Sequence, residues 1–466
     1  IHTTALRVLE ELGIRVLLPE GRALFASAGA DVDEESLMVR LDRALVEELV
    51  ARAPSSFTVR GGARHRDVPI GGDTVFFGPG GGCPNVTDLV RGRRPGTLAD
   101  FREITKVLHM TGAMPGLAPG VESQDIPVSL RHLETMRAQL ELSDKIPFVY
   151  ARGTGQTVDS FEMMRIAAGL SEEAFRAEPR TTTVINTNSP RQLDAPMTRG
   201  LIDFAEWGQV SIVTPFCLMG AMAPITVAGA LTLSHAEAMA GIALTQIVRP
   251  GAPVVYGAFT SNVDMKSGAP AFGTPEQMQA NWGAGQLARR LGLPWRTGAG
   301  TASNVADAQG ANETQTALWG CLLAGANMIS HAAGWLEGGL TFSCEKFVTD
   351  LEAVETIAQA FAGVPAGAEE IGFDAIAEVP PGGHFFAAEH TMARYETAFH
   401  EPLVSTRANF GQWMEGGARD ATRRAHDIWH ARIAAHEPPR RDAGMREALD
   451  AFVARRIAEG GAHPLD

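Results

Sequence analysis

The stretch ISHAAGWLEGGLTFSCEKF, Ile329 to Phe347, puts His331, Trp335, Glu337, Cys344 and Lys346 close together in the chain. A cysteine thiolate beside acid–base partners would perform nucleophilic catalysis. A histidine, a ring and an acid on one loop would instead bind a ligand. Register separates the two readings. Cys344 falls in line with Phe347, Leu351, Val354 and Ala358, and spacings of three and four trace one apolar helical face. A core-facing thiol stays protonated and inert. Lys346 and Asp350 lie four apart off that face and read as a solvated pair. The chemistry contracts to His331, Trp335 and Glu337, with a structural helix behind them.

Other candidates share this placement just beyond an apolar run. Among the acids they are Glu122, Asp264 and Asp307; among the rings, Phe216, Tyr256 and Phe259, in a chain only 7% aromatic. A ring cluster suits a cation lacking N–H donors, because the ring face is electronegative; core packing would use the same rings. GPGGGCPN (78–85) lacks the lysine and hydroxyl of a phosphate loop and does not open into a helix, so it reads as a tight turn. RTGAGTASN (296–304) is a second Gly-rich loop, at a position where barrels bind phosphate. His235 and Glu237 lack the HExxH pattern and read as polar positions on a packed helix. The four cysteines show no CxxC or HxC spacing, so neither a metal site nor a disulfide framework is expected.

These positions need elements to hold them. Eight short runs fit parallel strands covered on both faces: 74–78, 114–120, 148–152, 182–187, 210–216, 253–259, 295–301 and 327–333, each followed by a helical stretch. Thr97 with Asp100, and Thr274-Pro275-Glu276-Gln277, mark helix starts; Gly112 and Gly292 mark ends. Eight such repeats predict a (β/α)8 TIM barrel over 71–365, an α/β fold with helical extensions at 1–70 and 366–466. An open doubly wound sheet is the alternative. A 466-residue chain with 45% hydrophobic and 20% charged residues can bury a large core. Its net charge of −14 argues against nucleic acid and anionic membranes as partners. The apolar run 226–248 is interrupted by His235, Glu237 and Gln246 and reads as a buried helix. Sparse cysteine fits a reducing cytoplasm.

APVVYGAFTSNVDMKSGAPAFGTPE, DAQGANETQTALW, HAAGWLEGGLTFSCEKFVTDLE and GGHFFAAEHT together resemble the trimethylamine methyltransferase (MttB-like) family, and 253–352 is the most specific part. The resemblance implies a barrel that takes a methyl group from a methylated amine. The acceptor would be the cobalt of a corrinoid (cobalamin) held by a separate protein, with no metal bound by this chain. The family's founding members carry pyrrolysine, whereas this chain has only standard residues, which points to a quaternary amine such as glycine betaine. Glu122, Asn188, Phe216, Tyr256, Phe259, His331, Trp335 and Glu337 become the expected substrate contacts. Asn188, His331 and loop backbone would serve a betaine carboxylate, and a homo-oligomer is expected. Direct methyl transfer to a folate, and a non-enzymatic betaine-binding protein, are the competing readings.

Overall fold

The structure, a computed structural model, describes residues 1–465. Six parallel strands form one sheet in the order Phe76–Phe77, Met328–Ser330, Trp295–Gly298, Val254–Gly257, Val210–Val213, Thr182–Ile185. The second and third strands of the alternation exist only as single parallel bridges, Gly116 to Ile146 and Phe148 to Thr182. Pro115 and Pro119 have no N–H to donate, so a continuous ladder cannot form there. The ring closes above them: Cys83 bridges Val121, Gly82 N donates to Pro119 O at 2.8 Å, and Glu122 N to Cys83 O at 2.9 Å. The expected eight-stranded barrel is therefore present, and the open sheet is not.

Each strand leads into a helix whose ends follow local chemistry. Thr97 and Asp100 cap Leu98–His109 reciprocally, Thr274 accepts from Gln277 N to start Pro275–Leu291, and Gly292 ends that helix at φ 67°. Val227–Val248 is long and apolar enough to cross a membrane, but most of it is buried. The barrel covers one side; His2–Arg7 and Arg43–Ala51 cover another.

The N-terminal extension departs from expectation. Residues 1–70 add strands to their helices: Ile14–Val16, Asp31–Asp33 and Met38–Arg40 pair with one another and with Gln192–Leu193. Alternation in DVD and MVR explains this, since Val32 and Val39 sit opposite each other and both pack on the core. A hairpin, Ser56–Val59 with Val68–Gly71, closes the base of the barrel. Val59 and Ile70 pack there with Ile146, Val210, Ile212, Val255 and Met328. Beyond the barrel, Ala421–Ala434 lies along Cys344–Phe361, and Ala443–Ala458 along Thr154–Ala168.

Those contacts correct the reading of Lys346 and Asp350. Both are buried; Lys346 Nζ donates to Thr314 Oγ1 at 2.7 Å and pairs with Asp350. Ala308–Leu323 supplies Thr314, and Ala421–Ala434 covers the helix from outside, so little of its upper half faces water. Burial raises the Asp350 carboxyl, an effect the Lys346 ammonium opposes. Its other oxygen accepts from Gly334 N at 2.9 Å and anchors the loop that carries Trp335.

Ile70→Ala empties part of the basal layer. It is expected to destabilise the protein by about 3 kcal/mol, read as a lower urea midpoint at unchanged slope.

Candidate functional site

Above the basal layer the lumen opens into a cavity of about 400 Å³, within the range of small-molecule sites. Its wall is set by strand alternation. Phe259 opens the short strand Phe259–Val263, which pairs with Phe216–Met219 beyond the barrel strands, and stands 5.5 Å from Phe216, 5.5 Å from His331 and 5.8 Å from Trp335 by ring centroids. His331 and Trp335 are stacked at 4.2 Å and 12°. Two glycines make that stack possible. A Cβ on Gly300 or Gly339 would sit 2.3 or 2.2 Å from the Trp335 ring, so the indole is held between two bare backbones. His331 itself adopts φ 56°, a left-handed conformation that costs a non-glycine residue and recurs at functional sites.

One cavity residue was not foreseen. Arg296, in the strand Trp295–Gly298, is 2% exposed and points into the lumen. Its Nε donates to Ser330 Oγ at 3.0 Å, and its Nη2 to His331 Nε2 at 3.2 Å. Among the described residues no carboxylate pairs with it; its nearest charge-type contact is the Phe259 ring, 5.7 Å away. Burial pushes its pKa down to about 10, still protonated at neutral pH. Because Nε2 accepts from arginine, the His331 proton sits on Nδ1, which is buried without a protein partner. Burial first, and Arg296 second, hold His331 well below the usual imidazole range, so the ring is neutral. The wall thus offers a cationic donor with no acid among the lining residues, beside an aromatic box. A charged residue within an otherwise apolar strand was the signal available in WRTGAG.

The expected contacts divide. Phe216, Phe259, His331 and Trp335 line the cavity together. Glu337 stands at its rim at φ 54°, accepting from Arg93 Nε at 2.9 Å and Thr341 Oγ1 at 2.9 Å. Tyr256 faces outward, since Val255 takes the inward position, and its hydroxyl hydrogen-bonds His235 Nδ1 at 3.0 Å. Asn188 is spent on Asp194, which caps Ala195–Glu206; Asn186, two residues earlier on the same strand face, reaches the cavity instead. Glu122 lies behind Tyr150, outside the cavity. Burial opposes its charge, but Arg152 at 2.8 Å and Arg131 at 3.3 Å outweigh it and hold its pKa low.

The remaining acids are structural. Asp264 closes a surface turn through Ser267, and Asp307 caps Ala308–Leu323. Glu237, buried in its helix, accepts from Thr187, Ser189 and Arg191 N. Glu313 takes the amides of Ala302 and Ser303, so the second Gly-rich loop has those donors already filled. In the first Gly-rich loop, Gly78, Gly80 and Gly82 bond neighbouring backbone. Burial raises the Cys344 thiol far above its usual range, in keeping with an inert side chain. Among the described residues no three His, Cys, Asp or Glu side chains converge on a metal position.

Comparison with known proteins adds relatives to this geometry. The family profile described as trimethylamine methyltransferase (MTTB) matches residues 1–461. A glycine betaine methyltransferase of Desulfitobacterium hafniense (strain Y51) is 33% identical, covering 99% of this chain and 96% of its own. A trimethylamine methyltransferase MttB of D. hafniense (strain DSM 10664 / DCB-2) is 30% identical over 92% and 86%. The crystal structure of Methanosarcina barkeri monomethylamine methyltransferase (MtmB) superposes with TM-score 0.50 at 9% identity, covering 93% of this chain and 87% of that one. That last likeness concerns the fold alone.

A neutral buried histidine has a pH signature. Below pH ~6.5 the unfolded chain binds a proton that folded His331 refuses, so stability falls by ~1.4 kcal/mol per pH unit. His331→Gln is expected to lose ~2 kcal/mol less than the parent between pH 6.5 and 5, by urea unfolding at the two pH values. Equal losses would mean that the folded ring titrates like a free one.

Proposed function

Because the chain belongs to the trimethylamine methyltransferase family, we propose that it moves a methyl group from a carboxylated quaternary amine of the glycine betaine type to the cobalt of a corrinoid on a separate protein. The observation that carries the substrate class is Arg296, a buried guanidinium without an acid, set beside aromatic rings. A bare quaternary cation would meet that charge uncompensated in a medium of low dielectric. A betaine brings its own anion. Its carboxylate pairs with Arg296, while its trimethylammonium packs on Trp335, Phe259 and Phe216. The 33% identical glycine betaine methyltransferase supports the same class.

The chemistry asks little of side chains. A quaternary nitrogen departs as a neutral tertiary amine, so the N–CH3 bond breaks with its electron pair on nitrogen and no general acid is required. The corrinoid supplies the nucleophile and methyl acceptor when its protein is docked. This chain's residues hold the substrate in line, fix its carboxylate and keep water from the reacting bond. The mouth supports docking: Val90, Ile225, Met265, Val305 and Leu340 are exposed, each in a different loop that follows a strand. An apolar ring of that kind marks a protein interface. Four buried, unpaired cysteines support a cytoplasmic setting, and a homo-oligomer belongs to the same reading.

Calorimetry tests the substrate class. Arg296→Gln is expected to weaken glycine betaine about 100-fold, or ~2.7 kcal/mol, while leaving choline unchanged or tighter. Equal weakening of both ligands, or no binding of betaine by the parent, would sink the assignment. Docking is tested at the rim: Val90→Asp with Met265→Asp should cut dimethylglycine formation at least tenfold with the corrinoid protein as acceptor. With free reduced cobalamin, the rate should stay at the parental level.

A further inference from the structure

Residues 362–420 differ in character from the barrel they leave. Their four helices, Ala368–Ile371, Phe373–Glu378, Glu389–Met392 and Phe410–Glu415, are four to six residues long, too short to hold themselves in water. Local bonds tie them, such as His390 Nε2 to Glu369 O at 2.8 Å, and none forms an extended interface with a barrel element. Yet the segment turns large rings outward: Phe373 is 72% exposed, Phe386 81%, Phe399 81% and Phe410 75%. At ~200 Å² per ring, these four together leave roughly 600 Å² of aromatic surface in water. The exposed Ile371 and Ile376 bring the total to about 800 Å², the share one partner gives to a specific interface.

A second unpartnered patch lies at the barrel base. The barrel helices run from mouth to base, so Leu323 and Phe361 sit at basal helix ends, with Trp319 one turn above Leu323. All three are exposed, and the Trp319 and Phe361 rings stand 6.3 Å apart. Arg289 and Arg290 end the neighbouring helix Pro275–Leu291 and are exposed beside this patch. Residues 362–419 carry eight Asp and Glu against three Arg. Apolarity and charge therefore match between the segment and the base.

We propose that residues 362–410, anchored on their own barrel where Glu352 accepts from Val404 N and Ser405 N, form an arm that packs on the barrel base of a second copy of this chain, covering the Trp319, Leu323 and Phe361 patch. A protein that delivers an acceptor to the mouth works at the opposite end and has no reason to reach the base. A partner that comes and goes would also leave these rings in water between visits. Both complementary surfaces belong to one chain, so a two-fold exchange buries both at once.

The test uses the full chain. All four native cysteines are buried, so thiols introduced at Phe386 and Leu323 are the accessible ones. In the doubly substituted F386C/L323C chain, mild oxidation is expected to link two chains, giving a dimer band on a non-reducing gel; a link confined within one chain overturns the proposal. By light scattering at micromolar concentration, the parent is expected to be a dimer or a larger even-numbered oligomer. F373S/F386S/F399S, with unchanged far-UV circular dichroism, is expected to be monomeric. A monomeric parent, or a triple variant that keeps the parental mass, overturns it. Mass and cross-linking read assembly alone, so neither outcome bears on the substrate assignment.

Discussion

A closed parallel barrel must be filled wherever no site is wanted, because its strands turn side chains into the lumen at every second residue. In this chain the filling comes partly from outside the barrel. The hairpin Ser56–Val59 and Val68–Gly71 inserts Val59 and Ile70 beneath a layer of strand residues. That plug sets the floor of the cavity and keeps water from entering below. Arg296 stands above it in a medium that solvates charge poorly, which is why burial dominates its depressed pKa. Remove the floor, and the guanidinium becomes an ordinary hydrated arginine.

The alternation of strands and helices was legible because parallel strands must be apolar on both faces and helices announce their ends. All eight strand positions read from the chain fall on barrel strands or bridges. The site was legible only in part. Reading positions beyond strand ends found Phe216, Phe259, His331 and Trp335, but it did not ask which way each side chain points. Period two sends Tyr256 outward to His235, and Asn188, past the strand end, is drawn to Asp194 and leaves the cavity to Asn186. Other features are non-local in principle. Lys346 and Asp350 look alike as a surface pair or a buried one until Thr314 and Ala421–Ala434 arrive around them. The berth of Trp335 needs Gly300 from one loop and Gly339 from another.

The molecule also divides its work between two ends. Loops at the mouth carry the cavity wall and an exposed apolar rim, whereas the base carries the plug and the segment after Phe361. The last barrel helix joins the two. Asp350, near its middle, holds Gly334 and thereby the stacked His331 and Trp335, while its far end releases the chain toward solvent.

An unpaired guanidinium inside a barrel also has a metabolic consequence. Without ligand, the folded state carries a desolvated charge that the unfolded chain would hydrate freely. An anion-bearing ligand removes that penalty, and at a hundredfold its dissociation constant adds about 2.7 kcal/mol to the folded state. If Arg296 holds the ligand as proposed, it ties the lifetime of the chain to the supply of what it binds. When that supply runs out, the idle protein is the one most open to proteolysis.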